Sequence, residues 1–265
     1  MKNAIVTLPR TRWEWIAFCT LVAREMWRFL HIWRQTIVTP TLTTSLYLLI
    51  FGISLGRRID LGPGILYLHF IIPGLMMMAV INSAVANASA TVYQMKNNGS
   101  IVDLLVSPLR PSLIAVALAI AGTIRGLVVA SLVMMVGFYL GVPFPHQPLL
   151  ALMVALLTGW MFSCFGAIVG IQARRYEHMH SYTTMIITPL TYLGGVFYTL
   201  HVLPVFWQQF SRLNPIFYII DSFRYAFLGF SDLHPWRSVA IIVAVTVAMS
   251  ATLVHVLVHS RRLRA

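Results

Sequence analysis

The 265 residues are 58% hydrophobic and only 10% charged, where an ordinary soluble domain carries about 25% charged residues. Too few polar side chains remain to cover a water-facing surface, and the mean hydropathy of +0.80 agrees, so the chain reads as an all-α integral membrane protein. The net charge of +12, from 19 Lys+Arg against 7 Asp+Glu, does not mark a nucleic-acid partner, because the cations flank apolar runs instead of forming one patch; in that arrangement they are topology signals and contacts to membrane lipids.

In chain order, a cytoplasmic tail and interfacial helix (1–35) precede a single transmembrane domain (36–259) and a basic cytoplasmic tail (260–265). Between Arg12 and Arg34, apolar residues such as Trp13, Ile16, Leu21, Trp27 and Phe29 alternate with Arg24, Glu25 and Arg28. That mixture predicts a helix in the interface plane; the competing reading is a solvated helix packed on the protein's own surface. No small-residue cleavage site follows the first apolar run, so the N-terminal segment is expected to be retained.

A bilayer core of about 30 Å takes roughly 20 apolar residues in helix. Six stretches are predicted to cross: 36–56, 67–90, 112–140, 149–171, 182–198 and 239–259. Pro40, Pro73 and Pro189 fall inside or at the starts of these spans, where neighbouring groups can re-satisfy the freed backbone. With the N-terminus inside, one face holds Lys2, Arg10, Arg12, Arg24, Arg28, Arg34, Lys96, Arg110, Arg174, Arg175, Arg261, Arg262 and Arg264. The other holds Arg57, Arg58, Arg212, Arg224 and Arg237. That excess places both termini in the cytoplasm.

Within the second span Met76, Met77 and Met78 precede Asn82, Ser83, Asn87 and Ser89, a stripe that either glues helices together or lines a pathway. The loop after it, MKNNGSIVDLLVSPLRP, has Asn98-Gly99-Ser100 as a turn, and Ile101 to Val106 make one or two helical turns with Asp103 near their start, where the helix dipole favours an acid. A short helix of this kind suits docking into another protein's groove; a plain loop is the alternative. Arg125 lies inside the third span, where burying a guanidinium costs at least a few kcal/mol. Its functional readings are a contact to an anionic head group or a gate. Its structural reading is a pair with backbone carbonyls, or with Asp221 or Asp232. Tyr176 to His180 read as a solvated loop, and Cys19 and Cys164 as small apolar fillers. From Gly194 to Trp236 the chain is aromatic but broken by Gly194, Gly195, Pro204, Pro215 and Gly229, which predicts two short outer helices, 202–213 and 216–228, too short to cross.

A P-loop needs a Gly-Lys-Ser/Thr, and the only lysines, Lys2 and Lys96, follow no glycine. The seven acids fall in loops or at span ends, which weighs against a proton-coupled carrier. No HExxH, GxSxG or paired-carboxylate pattern supports an enzyme, so no catalytic, cofactor or metal residue is expected on this chain. The readings left open are a transport subunit driven by another chain, a self-sufficient carrier or channel, and a membrane-bound transferase using Asp221, His201 or His234.

Three segments together resemble a known family. The run PLTYLGGVFYTLHVLPVFWQQFSRLNPIFYIIDSFR (Pro189 to Arg224), the NNGSIVDLLVSPLRP loop and the Arg/Trp-rich start resemble the C-terminal signature, coupling helix and interface helix of bacterial ABC-2 exporter permeases. The resemblance implies six spans, a re-entrant pair of outer helices, and a dimer of this chain. Each copy would dock on a separate ATP-binding cassette subunit, two in all, that carries the ATP and Mg. By position, Asn98, Gly99, Ser100, Asp103, Leu104 and Leu105, with Arg24, Glu25 and Arg28, would carry the ATPase contact. Arg125, Asn82, Asn87, Asp221 and Arg224 are the candidates for a substrate path or gate. The implied activity is export of a hydrophobic, lipid-like or glycolipid cargo across the bacterial inner membrane.

Overall fold

The computed structural model describes residues 10–55, 66–107 and 109–259, and every regular element among them is helical. The predicted outer loop with Arg57, Arg58 and Asp60, and the basic tail 260–265, lie outside the described residues.

Among the described residues, four helices are long and apolar enough to cross a membrane: α3 (Tyr67–Asn97), α5 (Pro111–Tyr139), α6 (Pro148–Gln172) and α11 (Pro235–His259). Each starts at or just before its predicted span, and three of them open on a proline. Proline suits a first helical turn because its missing N–H would have no partner there anyway. The 31 residues of α3 rise roughly 45 Å, so this helix passes beyond the hydrocarbon core at its ends. It is the hub: 78% of its most apolar stretch is buried, against 22% for α11 at the periphery.

Small residues set that arrangement. A Cβ on Gly166 of α6 would stand 2.6 Å from Val85 O of α3, and one on Gly170 would stand 2.6 Å from Ser89 O. Lipid tails are as apolar as leucine, so membrane helices associate through close packing, and small residues allow the backbones to touch. The two ends of the bundle are pinned separately. At one, Lys96 Nζ donates to Ile171 O (3.2 Å) and Ala173 O (3.1 Å), so a cation from α3 satisfies the last carbonyls of α6. At the other, Tyr67 Oη donates to Phe197 O (3.1 Å), and Gln147 N, just before α6, donates to Ala226 O (2.8 Å).

The remaining two predicted spans, 36–56 and 182–198, fall on helical runs that change type along their length, and the second run ends at Leu193, five residues short of the predicted span. α1 (Arg10–His31) is followed by π-helical turns at Arg34–Val38, then α2 (Thr39–Tyr47), then π-helical turns at Leu48–Leu55. α7 (Tyr176–Tyr182) leads through π-helical turns at Thr183–Ile187 into α8 (Thr188–Leu193). Both switches from π to α fall at a Thr-Pro pair, Thr39-Pro40 and Thr188-Pro189. A proline ring displaces the preceding carbonyl and removes one α-helical donor, so the bonds there lengthen by one residue. Each threonine hydroxyl donates to the carbonyl five residues back, Thr39 to Arg34 (3.2 Å) and Thr188 to Thr183 (3.3 Å).

The segment expected to be a solvated loop at Tyr176 to His180 is instead α7. Met179 is buried, and the Tyr176 ring meets the edge of Tyr93 at 6.1 Å. Cys19 is exposed, so only the buried Cys164 fits the reading as core filler. The two short helices appear as α9 (Val205–Leu213) and α10 (Pro215–Leu228). Asn214 sets their corner: its Oδ1 accepts from Ile216 N (3.0 Å) to cap α10, while Nδ2 donates to Leu190 O (2.6 Å). Gly195 precedes them with φ of 82°, a left-handed conformation that glycine adopts without strain.

Candidate functional site

The residues expected at an ATPase contact come from α1 and from the junction of α3 with the short helix α4 (Ser100–Val106). Glu25 is 1% exposed, because α1 turns this face onto α3. Its carboxylate accepts from Arg24 (3.2 Å) and from Arg28 Nε (3.0 Å). The Thr91 hydroxyl lies 3.0 Å from Glu25 Oε2 and 2.8 Å from Asn87 O, within reach to donate to either. Arg28 also bonds the Thr91 hydroxyl, Gln94 Oε1 (3.3 Å), and both oxygens of Asn87 (3.4 Å each). A buried carboxylate held by two guanidiniums and a hydroxyl is satisfied, whereas alone it would be costly to desolvate.

Beside this cluster a cavity of about 600 Å³ is lined by Arg24, Glu25, Arg28, Gln94, Asn98 and Ser100, among others. Arg24, Glu25 and Arg28 of α1 therefore share one concave surface with Asn98 and Ser100 of the predicted coupling segment. Gly99, at φ of 74°, turns the chain from α3 into α4. Ile101 is buried, and Leu104 lines a smaller recess between α1 and α4 together with Leu21 and Leu109. The backbone of Asp103 and Leu105 lies in α4; their side chains are outside the described residues.

Arg125 sits midway along α5, as far from Pro111 as from Tyr139. Its Nε donates to Thr36 O (3.2 Å) and its Nη1 to Asn87 Oδ1 (3.5 Å). The first bond follows from sequence: Pro40 has no N–H to give the carbonyl four residues before it, which is Thr36 O. Of the structural readings for Arg125, the backbone carbonyl is the one realised. Asp221 and Asp232 are engaged elsewhere. Asn82 and Arg125 line one cleft of about 260 Å³ with Thr39, Thr43, Tyr47 and Ser83. Of the Met run ahead of them, Met76 and Met77 are core, whereas Met78 lines the cleft.

Asp221 and Arg224 lie apart from that cleft, both buried on α10. Asp221 Oδ1 accepts from Asp232 N (2.7 Å), and Asp232 in turn accepts from Leu200 N (3.0 Å). Arg224 donates to Gly195 O (2.6 Å) and stands 3.9 Å over the Phe70 ring of α3, a cation–π contact that partly replaces lost hydration. These contacts fasten the outer segment to α3. Asn87 belongs to both of the other sets, since its amide oxygen meets Arg28 from one side and Arg125 from the other.

Sequence reasoning missed Thr91 and Gln94, which complete the Glu25–Arg28 cluster, and the threonines of α2. A signal existed for the former: Asn87, Thr91 and Gln94 follow at helical spacing of four and three along one face of α3.

Comparison with known proteins agrees with this architecture. Residues 16–228 match the ABC-2 type transporter family. The chain is 40% identical over 235 residues to the inner membrane transport permease YadH of Escherichia coli K12, covering 88% of this chain and 91% of that protein. It is 27% identical over 235 residues to Nodulation protein J of Sinorhizobium fredii, covering 86% of each. A likeness of 27% over 252 residues to Nodulation protein J of Rhizobium meliloti covers 88% of each. With four apolar helices of spanning length, a short helix closing on a buried ionic cluster, and no P-loop lysine of its own, the chain belongs to the ABC-2 type transporter family as a multi-pass permease subunit of the inner membrane.

Proposed function

We propose that this chain works as a homodimer with six spans per copy and both termini in the cytoplasm, and that it exports a hydrophobic, lipid-like or glycolipid cargo. Two copies of a separate ATP-binding cassette subunit, holding ATP and Mg, drive it. The observation that carries this reading is the common surface of α1 and α4. A seven-residue helix displayed beyond the end of α3 lines, through Ser100, the same cavity as the ionic cluster on α1, so a partner seated there touches α1, α3 and α4 together. Asn98, Gly99, Ser100, Asp103, Leu104 and Leu105 make the contact, and Arg24, Glu25 and Arg28 brace it. Arg125, Asn82 and Asn87 line the cargo path, while Asp221 and Arg224 hold the outer segment that the cargo passes. The five exposed apolar side chains Val205, Phe206, Trp207, Phe210 and Leu213 of α9 fit a re-entrant helix that meets lipid at the outer surface.

The test is a pull-down of the tagged full-length chain from gently solubilised membranes, followed by an ATPase assay. The expected result is a stoichiometric ATP-binding subunit and hydrolysis that the chain alone lacks. A lone chain without hydrolysis, in a preparation that retains lipid, overturns the reading in favour of a self-sufficient carrier or channel.

A further inference from the structure

The geometry points to the Arg125 cleft, between α2, α3 and α5, as a binding site for an anionic phosphate group carried by the cargo. Three observations converge on this. First, the cation lacks a counter-charge. Among the described residues Arg125 makes no ion pair, and its two protein partners, Thr36 O and Asn87 Oδ1, are neutral. The nearest carboxylate in the cluster, Glu25, is already bonded by Arg24 and Arg28. A guanidinium so placed in a membrane helix is costly until an anion joins it.

Second, the cleft presents unused hydrogen-bonding groups. Arg125 Nη2 donates to nothing among the described residues, and the Asn82 amide, which also lines the cleft, makes no side-chain bond there. Ser83 Oγ is buried, without a hydrogen-bond partner, and belongs to the same lining. Guanidinium, amide and hydroxyl can all donate, no acidic or histidine side chain lines the cleft, and guanidinium donors match phosphate oxygens in geometry.

Third, the site adjoins the ionic cluster on α1. Arg125 shares Asn87 Oδ1 with Arg28, and lipids keep their phosphates at the interface, so a phosphate-bearing cargo can reach the guanidinium from that end of the bundle. The volume of about 260 Å³ suits a phosphate with a few attached atoms and leaves the apolar body of the cargo outside. The shared Asn87 oxygen then ties occupancy of the cleft to Arg28 on the interfacial helix.

This assignment rests on the export reading for the carrier of the phosphate alone, and its test uses no ATPase subunit, so either can fail while the other stands. The purified full-length chain in neutral detergent at about 0.15 M salt is titrated with dioctanoyl phosphatidic acid, with dioctanoylglycerol, and with inorganic phosphate, and the thermal midpoint is followed. Ligand that binds only the folded state raises that midpoint in a saturable way. Phosphatidic acid is expected to raise it and dioctanoylglycerol not to. In Arg125→Gln the apparent affinity is expected to fall roughly ten-fold or more, the loss of a charged hydrogen-bonded contact, while Arg125→Lys retains part of it. If Arg125→Gln folds poorly, Asn82→Leu at the cleft lining is expected to weaken binding several-fold in a protein of ordinary stability. A shift produced by inorganic phosphate alone, and lost in Arg125→Gln, supports the site and assigns it to a soluble source. Equal shifts from dioctanoylglycerol, or full phosphatidic acid binding in both variants, overturn it.

Discussion

Glu25 is the residue that fastens α1 to α3. Its carboxylate is buried and accepts from Arg24 and Arg28, and through Thr91 and Asn87 the same cluster reaches the centre of α5. Glu25→Gln preserves shape but leaves two guanidiniums facing a neutral amide. Because the Arg24 and Arg28 side chains are 49% and 26% exposed, the cost falls below that of a fully buried pair. The expected loss is about 1–3 kcal/mol, read as a lower thermal midpoint in detergent; an unchanged midpoint refutes the bracing role. The alternation of Arg and Glu between aromatics was legible in the sequence. That Glu25 faces inward while Trp15 and Trp27 face outward was not, because only the neighbouring helix decides which stripe of an aromatic-rich helix is covered.

At the scale of elements, close backbone approach and helix switches do the arranging. Gly166→Ala places a Cβ 2.6 Å from Val85 O, so α3 and α6 must part. Overpacking of this kind costs about 1–3 kcal/mol, and the midpoint of thermal unfolding is expected to fall accordingly. Gly99→Ala meets open space, and only its left-handed backbone resists, at about 1–2 kcal/mol. A Gly99→Ala variant less stable than Gly166→Ala contradicts this ranking. For α4, Leu104→Pro removes a donor and breaks a helix of seven residues. ATP hydrolysis by the assembled complex is expected to continue while transport is lost, with membrane insertion unchanged. Asp103→Lys, reversing the charge near the start of α4, is expected to uncouple in the same direction. ATP-driven transport at the full rate in either variant removes α4 from the coupling path.

For the whole molecule, the bonds from Lys96 to the end of α6 and from Tyr67 to Phe197 identify two opposite ends of one bundle. The Lys/Arg distribution predicts that α1 and α4 lie on the cytoplasmic side of that bundle. The native cysteines report on this directly. Cys19 is exposed on α1 and Cys164 is buried in α6. A membrane-impermeant maleimide is expected to label Cys19 in inside-out vesicles and not in right-side-out ones, while Cys164 reacts only after denaturation. Labelling of Cys19 in intact right-side-out vesicles reverses the topology.

Sequence by itself determined the membrane class, the starts of α3, α5 and α6, the short helices after Gly195 and the lack of a nucleotide-binding lysine, because hydropathy, proline and glycine act locally along the chain. Tertiary structure decided what is non-local. The π turns before Thr39-Pro40 and Thr188-Pro189 depend on how a helix absorbs a missing donor among its neighbours. The partner of Arg125 came from a carbonyl that Pro40 leaves open on another helix, and the separation of Arg224 and Asp221 from the Arg125 cleft came from the packing of α10 on α3. A charge in a membrane helix announces that it needs a partner; which group supplies it depends on the helices that close packing of small residues brings alongside.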